Sequence, residues 1–89
     1  MFEFDPDKSA ANLVKHGIDF EHAKDLWNDD RRLEIASGGG LEQRWLAIGM
    51  IGDRHWTAIY TLREASVRII SVRRSRANEV KDYGSQDTD

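Results

Sequence analysis

Three runs of strand character, Gln43 to Ile51, His55 to Leu62 and Ser66 to Arg74, follow one another with only short turns between them. A parallel crossover needs a dozen or more residues, so such spacing predicts an antiparallel meander. Gly52-Asp53 between the first two runs is the signature of a tight hairpin. Arg63-Glu64-Ala65 makes the second turn. A fourth run, Arg32 to Ala36, alternates ahead of the flexible turn Ser37-Gly38-Gly39-Gly40. In the last run Val67, Ile69 and Ser71 fall on one face, and Arg68, Ile70 and Val72 on the other. Apolar residues on both faces predict a central strand covered on both sides, in part by another chain.

The rest of the chain reads as helix, apart from Phe2-Glu3-Phe4, whose alternation predicts a short first strand. Asp5 is a natural N-cap, Pro6 suits the first helical position, and Gly17 after Lys15-His16 is a natural C-cap. Ala10, Leu13 and Val14 form an apolar stripe at helical spacing. A second helix is expected from Asp19, with Phe20, Ala23, Leu26 and Trp27 on one face, broken by Asn28-Asp29-Asp30. Ser75 is expected to cap a short third helix through Tyr83, ended by Gly84. The predicted order is β-α-α-β-β-β-β-α. This is an α+β single domain over residues 1–84, an antiparallel sheet packed by two N-terminal helices and one C-terminal helix. Residues 85–89 are expected to form a disordered acidic tail.

Composition narrows the function classes. At 89 residues the chain has room for one small core and no large enclosed cavity. The absence of cysteine excludes disulfides and thiolate metal sites, and no apolar run is long enough to cross a bilayer. With no signal-peptide pattern at Met1-Phe2-Glu3-Phe4-Asp5, these features point to the cytoplasm and to no membrane partner. The formal net charge of −3 conceals a polarised chain: residues 1–30 carry −5, residues 54–81 carry +5 and the last eight carry −3. Six of the seven bases in the positive segment are arginines, whose planar fork suits phosphate or carboxylate. A solvated, salt-bridged surface accounts for that charge as well as an RNA, DNA or acidic protein partner does.

His16, His22 and His55 have no spacing that places two ligands on one helix face, so neither a metal nor another cofactor is expected. No phosphate-binding loop or nucleophile elbow is present. What remains is arginine charge with a small set of proton-transfer groups. Metal-free RNA cleavage needs a base for the 2′-hydroxyl, cationic donors for the phosphate, and an acid for the departing 5′-oxygen. Arg44, Arg68, Arg73 and Arg74 on strands are candidate donors. His16, Lys15, Glu42, Glu79 and Tyr83 are candidates for proton transfer. Each also has a structural explanation, His16 and Lys15 as helix-dipole partners and Glu79 and Lys81 as surface pairs. Trp45, Trp56 and Tyr60 fit core or interface better than base stacking.

Phe2-Glu3-Phe4-Asp5-Pro6, Ala11-Asn12-Leu13-x-Lys15-His16-Gly17-Ile18-x-Phe20, Glu42-x-Arg44-Trp45, Tyr60-Thr61, and Val67-Arg68-Ile69-Ile70-Ser71-Val72-Arg73-Arg74, with Glu79 and Tyr83, run in order along the chain. In these segments the sequence resembles the BrnT family of type II toxins, small ribonucleases with a RelE-like fold. The resemblance implies RNA cleavage that inhibits translation. It also implies neutralisation by a BrnA antitoxin with a ribbon-helix-helix segment, operator DNA being met only through that antitoxin. Carried over by residue, it marks Lys15, His16 and Arg73 as leading site candidates, with Arg44 and Glu79 behind them. Two departures stand out: Arg74 where a lysine is expected, and a third helix interrupted by Asn78, Val80 and Asp82.

The expected mechanism has Arg73, aided by Arg44 and Lys15, bind the scissile phosphate while His16 moves the proton. Glu79 completes the expected catalytic set, and Arg44, Arg68 and Arg74 the expected RNA contacts. The competing expectation is a non-catalytic subunit whose basic strand-helix edge docks an acidic partner or joins a DNA-binding regulatory complex.

Overall fold

The computed structural model describes residues 1–38 and 40–87, which leaves Gly39 of the triple-glycine turn and Thr88-Asp89 of the tail outside the described residues. The described residues form β1 (Phe2–Glu3), α1 (Pro6–His16), α2 (Phe20–Ala23) running into a 3-10 turn (Lys24–Asn28), β2 (Leu33–Ser37), β3 (Arg44–Ile51), β4 (Arg54–Arg63), β5 (Ser66–Arg74) and α3 (Ala77–Gly84). A second 3-10 turn, Ser85–Asp87, continues past Gly84, and Gln86 Nε2 donates to Arg31 O at 2.5 Å and Tyr83 O at 3.1 Å. Gln86 thereby bonds to backbone of both α3 and the segment before β2.

The sheet order is β1-β5-β4-β3-β2. The meander β2 to β5 is antiparallel as its turns require, but β1 pairs parallel with β5 (Phe2↔Val67, Glu3↔Arg68), so the sheet is mixed. β1 is free to pair in parallel because more than sixty residues separate it from its partner. Gly52 opens the β3–β4 turn at φ 62°, the glycine-first geometry that suits a two-residue hairpin.

The main apolar core lies on one face of the sheet, while Ile48 and Thr57 on the other face are buried where α3 crosses. Ala47, Ala58 and Val72, each 0% exposed, form a flat floor for Ile18, Phe20, Ala23 and Leu26 from the α2 segment. Fully burying each of the larger apolar side chains is worth about 1.5–3 kcal/mol. Close approach also demands Gly49, where an added Cβ would lie 3.1 Å from both Leu26 Cδ2 and Asp29 Oδ2. Trp56 and Tyr60 are core residues, and Trp45 packs against that core.

Asp5 and Asp19 cap their helices, and Gly17 closes α1 at φ 80°, as their local chemistry predicts. The buried side of α1 differs from the expected one. Ala10, Leu13 and Val14 are exposed, Val14 at 89%, while Ser9 and Asn12 are buried. The helix lies along the β5 edge, where backbone groups need partners more than apolar cover. Asn12 Oδ1 accepts from Val72 N (3.2 Å), Asn12 Nδ2 donates to Val72 O (2.9 Å) and Ile18 O (2.8 Å), and Ser9 Oγ accepts from Phe20 N (2.9 Å). A side chain thus takes over where β1 stops.

Two further differences concern β5 and α3. The β4–β5 register shifts between Ile59↔Ser71 and Tyr60↔Ile69, leaving Ile70 as a bulge. Ile69 and Val72 consequently share the core face, against the simple alternation of the sequence reading. The N-cap of α3 is Arg76 instead of Ser75, whose hydroxyl is bonded to Thr57 Oγ1 at 2.8 Å.

Candidate active site

The bulge decides which arginines meet. Arg68 and Arg73 are five residues apart, an odd spacing that regular alternation would place on opposite faces. The register instead sets Arg68 beside Thr61 and Arg73 beside Thr57, four residues apart on β4 and so on one face. Arg44, also opposite Thr61, joins them. The face away from the core therefore carries Arg44, Thr61 and Arg68 in one row. Four strand residues on, about 13 Å away, it carries Thr57 and Arg73. Between the rows lie Leu46, Ile59 and Ser71, half-buried, and Ile35 at the exposed edge. α3 crosses the Thr57–Arg73 end and leaves the Arg44–Arg68 end open.

Arg73 is anchored there by Glu79 from α3. Nη1 and Nη2 of Arg73 donate to Oε1 and Oε2 of Glu79 at 2.7 and 2.8 Å, and the carboxylate also accepts from Arg76 N (2.8 Å) and Thr57 Oγ1 (3.0 Å). The Arg73 pair, with the Arg76 and Thr57 donors, holds the Glu79 carboxyl at about 2, against the opposing pull of burial. Glu79 in turn raises the already high value of Arg73. At 5% exposure and with four bonds, Glu79 is a permanent anion that orients the arginine, unsuited to exchanging protons.

A guanidinium has five N–H donors. Glu79 takes two, and Arg74 O accepts a third from Nη1 at 3.3 Å. One donor on Nη2 and the one on Nε hold no bond to any described residue. These two lie side by side on one flank of the group, a ready fork for two phosphate oxygens. Arg73 keeps 19% of its side chain exposed.

The remaining candidates divide. Arg44 is exposed with no ion pair to any described residue, and Arg68 has a single 3.4 Å contact with Glu3. Both lie on the sheet face that carries Arg73. Arg74 lies on the opposite face, its guanidinium 5.5 Å from the Trp56 ring centroid, so it is not brought to this site. Glu42 pairs with Arg63 at 3.5 Å in the turn region. Lys15 and His16 end α1 at the β5 edge, with no hydrogen bond or ion pair linking them to Arg73 or Glu79. His16 is one turn past Asn12 on the same side of the helix.

Tyr83 Oη donates to Asp29 Oδ2 at 2.6 Å, and Asp29 also accepts from Met50 N (2.8 Å) and Arg31 N (2.9 Å). Burial and that carboxylate push the Tyr83 hydroxyl up to about 12. Burial pushes Asp29 upward too, but its donors together hold it below the ordinary carboxylate range. The Asp29 anchor and the presence of His55 on the arginine face escaped the sequence reading, although the Gly52-Asp53 turn and period-two alternation carry the signal for His55. Among the described residues, no three His, Cys, Asp or Glu side chains converge as a metal ligand set, and no helix is long and apolar enough to cross a membrane.

This small α+β domain fixes one arginine fork and carries two more arginines on the same sheet face, donors of the kind that suit phosphate oxygens. Comparison with protein families gives that domain a specific place: the family model described as the ribonuclease toxin, BrnT, of type II toxin-antitoxin systems matches residues 4–79. The chain belongs to this family, which implies an RNA target and an antitoxin partner. A search of curated proteins finds no match.

Proposed function

We propose that this chain is an endoribonuclease toxin that cuts RNA without a metal ion and so inhibits translation in the bacterial cytoplasm. In this reading a BrnA-like ribbon-helix-helix antitoxin neutralises it, and operator DNA is reached only through that antitoxin. The observation that carries the reading is the side fork of Arg73, held in place by Glu79 and still offering two donors. A phosphodiester on that fork meets a cation fixed before the substrate arrives, so charge developing on phosphorus is stabilised without reorganisation. Arg44 and Arg68, a row away on the same face, bind other phosphates of the same strand. The half-buried Leu46 and Ile59 between the rows offer apolar surface to bases. Lys15 supplies positive charge at the neighbouring edge.

The test is cleavage of a 5′-labelled single-stranded mRNA fragment by Arg73→Ala and Arg73→Lys proteins, in buffer with excess chelator. Arg73→Ala is expected to lose about 100-fold or more, and Arg73→Lys, which keeps charge but not the fork, about 10-fold or more. Wild-type cleavage is expected to survive chelation. Full activity in Arg73→Ala, or activity abolished by chelator and restored by a divalent cation, would refute the reading.

A further inference from the structure

The hairpin at Gly52-Asp53 sets more than strand order. Thr57 stands opposite Arg73, and the next hydrogen bond along, Ser75 N to His55 O at 3.1 Å, extends the ladder to a His55–Ser75 rung. Alternation puts His55 on the same face as Thr57, and the 2.8 Å contact between Thr57 Oγ1 and Ser75 Oγ puts Ser75 there too. His55, Thr57, Arg73 and Ser75 thus form a square beneath α3. The Thr57–Ser75 diagonal is closed by that hydrogen bond. The other diagonal joins His55 and Arg73, positions whose Cα atoms in such a ladder are about 7–8 Å apart. Side chains rising from one face at that backbone spacing can approach a single phosphodiester from two sides.

α3 holds both corners of this open diagonal. Glu79 fixes Arg73, and Tyr83, one turn later, packs against the His55 ring with centroids 5.4 Å apart and planes at 84°. Asp29 holds Tyr83 in turn through its hydroxyl. His55 is half-buried, and its ring nitrogens have no hydrogen bond to any described residue. The imidazole is oriented by packing alone, with both nitrogens left for a ligand.

We infer that His55 is the catalytic base of the Arg73 site, taking the 2′-hydroxyl proton of the nucleotide whose 3′-phosphate lies on the Arg73 fork. The inference rests on the ribonuclease reading above. As the proton moves to an imidazole nitrogen, the 2′-oxygen forms a bond to phosphorus and the bond from phosphorus to the 5′-oxygen breaks. The products are a 2′,3′-cyclic phosphate and a 5′-hydroxyl, whose proton comes from solvent water. No oxidant or metal enters the balance. The other nearby groups are spoken for: Glu79 by four bonds, Tyr83 by Asp29. His16, at the end of α1, has no hydrogen bond or ion pair with the Arg73–Glu79 pair.

Four full-length variants decide the matter: His55→Gln, His55→Ala, His16→Gln and Arg73→Ala. Each is measured for single-turnover cleavage of the labelled mRNA fragment, for RNA binding by fluorescence anisotropy and for thermal unfolding. His55→Gln is expected to lower the cleavage rate about 100-fold or more, with RNA affinity kept within about threefold. Added imidazole is expected to restore cleavage in His55→Ala but not in Arg73→Ala, and His16→Gln is expected to cleave like wild type. Wild-type cleavage by His55→Gln alongside an inactive Arg73→Ala overturns the assignment and leaves the phosphate site standing. Loss in both His55 variants without imidazole rescue also overturns it, since a purely structural role gives that result. Wild-type cleavage by Arg73→Ala removes the reading on which the inference rests.

Discussion

Replacing Glu79 with Gln removes one charge and almost no volume, which isolates the electrostatic role of the anion beneath Arg73. The carboxyl is held at about 2 against an ordinary 4.5. At about 1.36 kcal/mol for each tenfold change in proton affinity, that difference corresponds to about 3 kcal/mol of folding free energy. Solvent screens little of it, because the Glu79 and Arg73 side chains are only 6% and 19% exposed. The variant also turns an N–H of the new amide toward the guanidinium, so nothing offsets the lost charge. The sign of the pH dependence follows from the depressed value. The unfolded carboxyl takes up a proton near 4.5 and the folded one only near 2, so the stabilisation is complete above pH 4.5 and disappears as pH falls toward 2. Urea unfolding followed by tryptophan fluorescence at pH 7, 4.5, 3 and 2.5 measures both proteins under the same conditions. The gap between wild type and Glu79→Gln is expected to be about 3 kcal/mol at pH 7 and to narrow by about 1.4 kcal/mol per pH unit through the acid range. All other carboxylates titrate alike in the two proteins and cancel in the difference. A gap that stays constant from pH 7 to 2.5, or is missing at pH 7, would show that the charge on Glu79 does not hold this end of the sheet.

Asn12→Ala removes three buried hydrogen bonds, two to the β5 edge and one to Ile18 between α1 and α2, and is expected to cost about 3 kcal/mol in urea unfolding, at roughly 1 kcal/mol net for each bond. Leu13→Ser and Val14→Ser, in the stripe that looks like core in the sequence, are expected to change stability by less than about 0.5 kcal/mol. A loss of 2 kcal/mol or more in either, on the scale of a truncated core side chain, would mean that α1 buries the face predicted from its periodicity.

Local chemistry made much of this fold legible. Asp5, Pro6 and Gly17 bound α1, and Gly52-Asp53 forms its hairpin, because caps and tight turns depend on residues within one turn of each other. The buried side of α1 was not legible. Periodicity selects the apolar stripe, whereas the helix meets a strand edge whose backbone groups select Ser9 and Asn12. Ser75 was misplaced as a cap for a similar reason, since its hydroxyl is taken by Thr57 from another strand. Within the site, adjacent residues in a strand face opposite ways, so the separation of Arg73 from Arg74 was available in the sequence. The alignment of Arg68 with Arg73 was not, because it depends on a bulge that nothing in the run from Val67 to Arg74 announces.

The Asn12–Val72 bridge spans 60 residues, and the Asp29–Tyr83 bond spans 54. Each forms only when its later partner, Val72 in β5 or Tyr83 in α3, has left the ribosome. Until β5 emerges, α1 has only short-range support, and an 11-residue helix is marginal on its own in water. Until α3 follows, Arg73 has no anion to orient it. The cost of closing such long loops is met only when both ends are present. Synthesis therefore delivers fold and arginine site together, once α3 has emerged. A nascent chain halted before α3 carries the arginines without the arrangement that gives them a function.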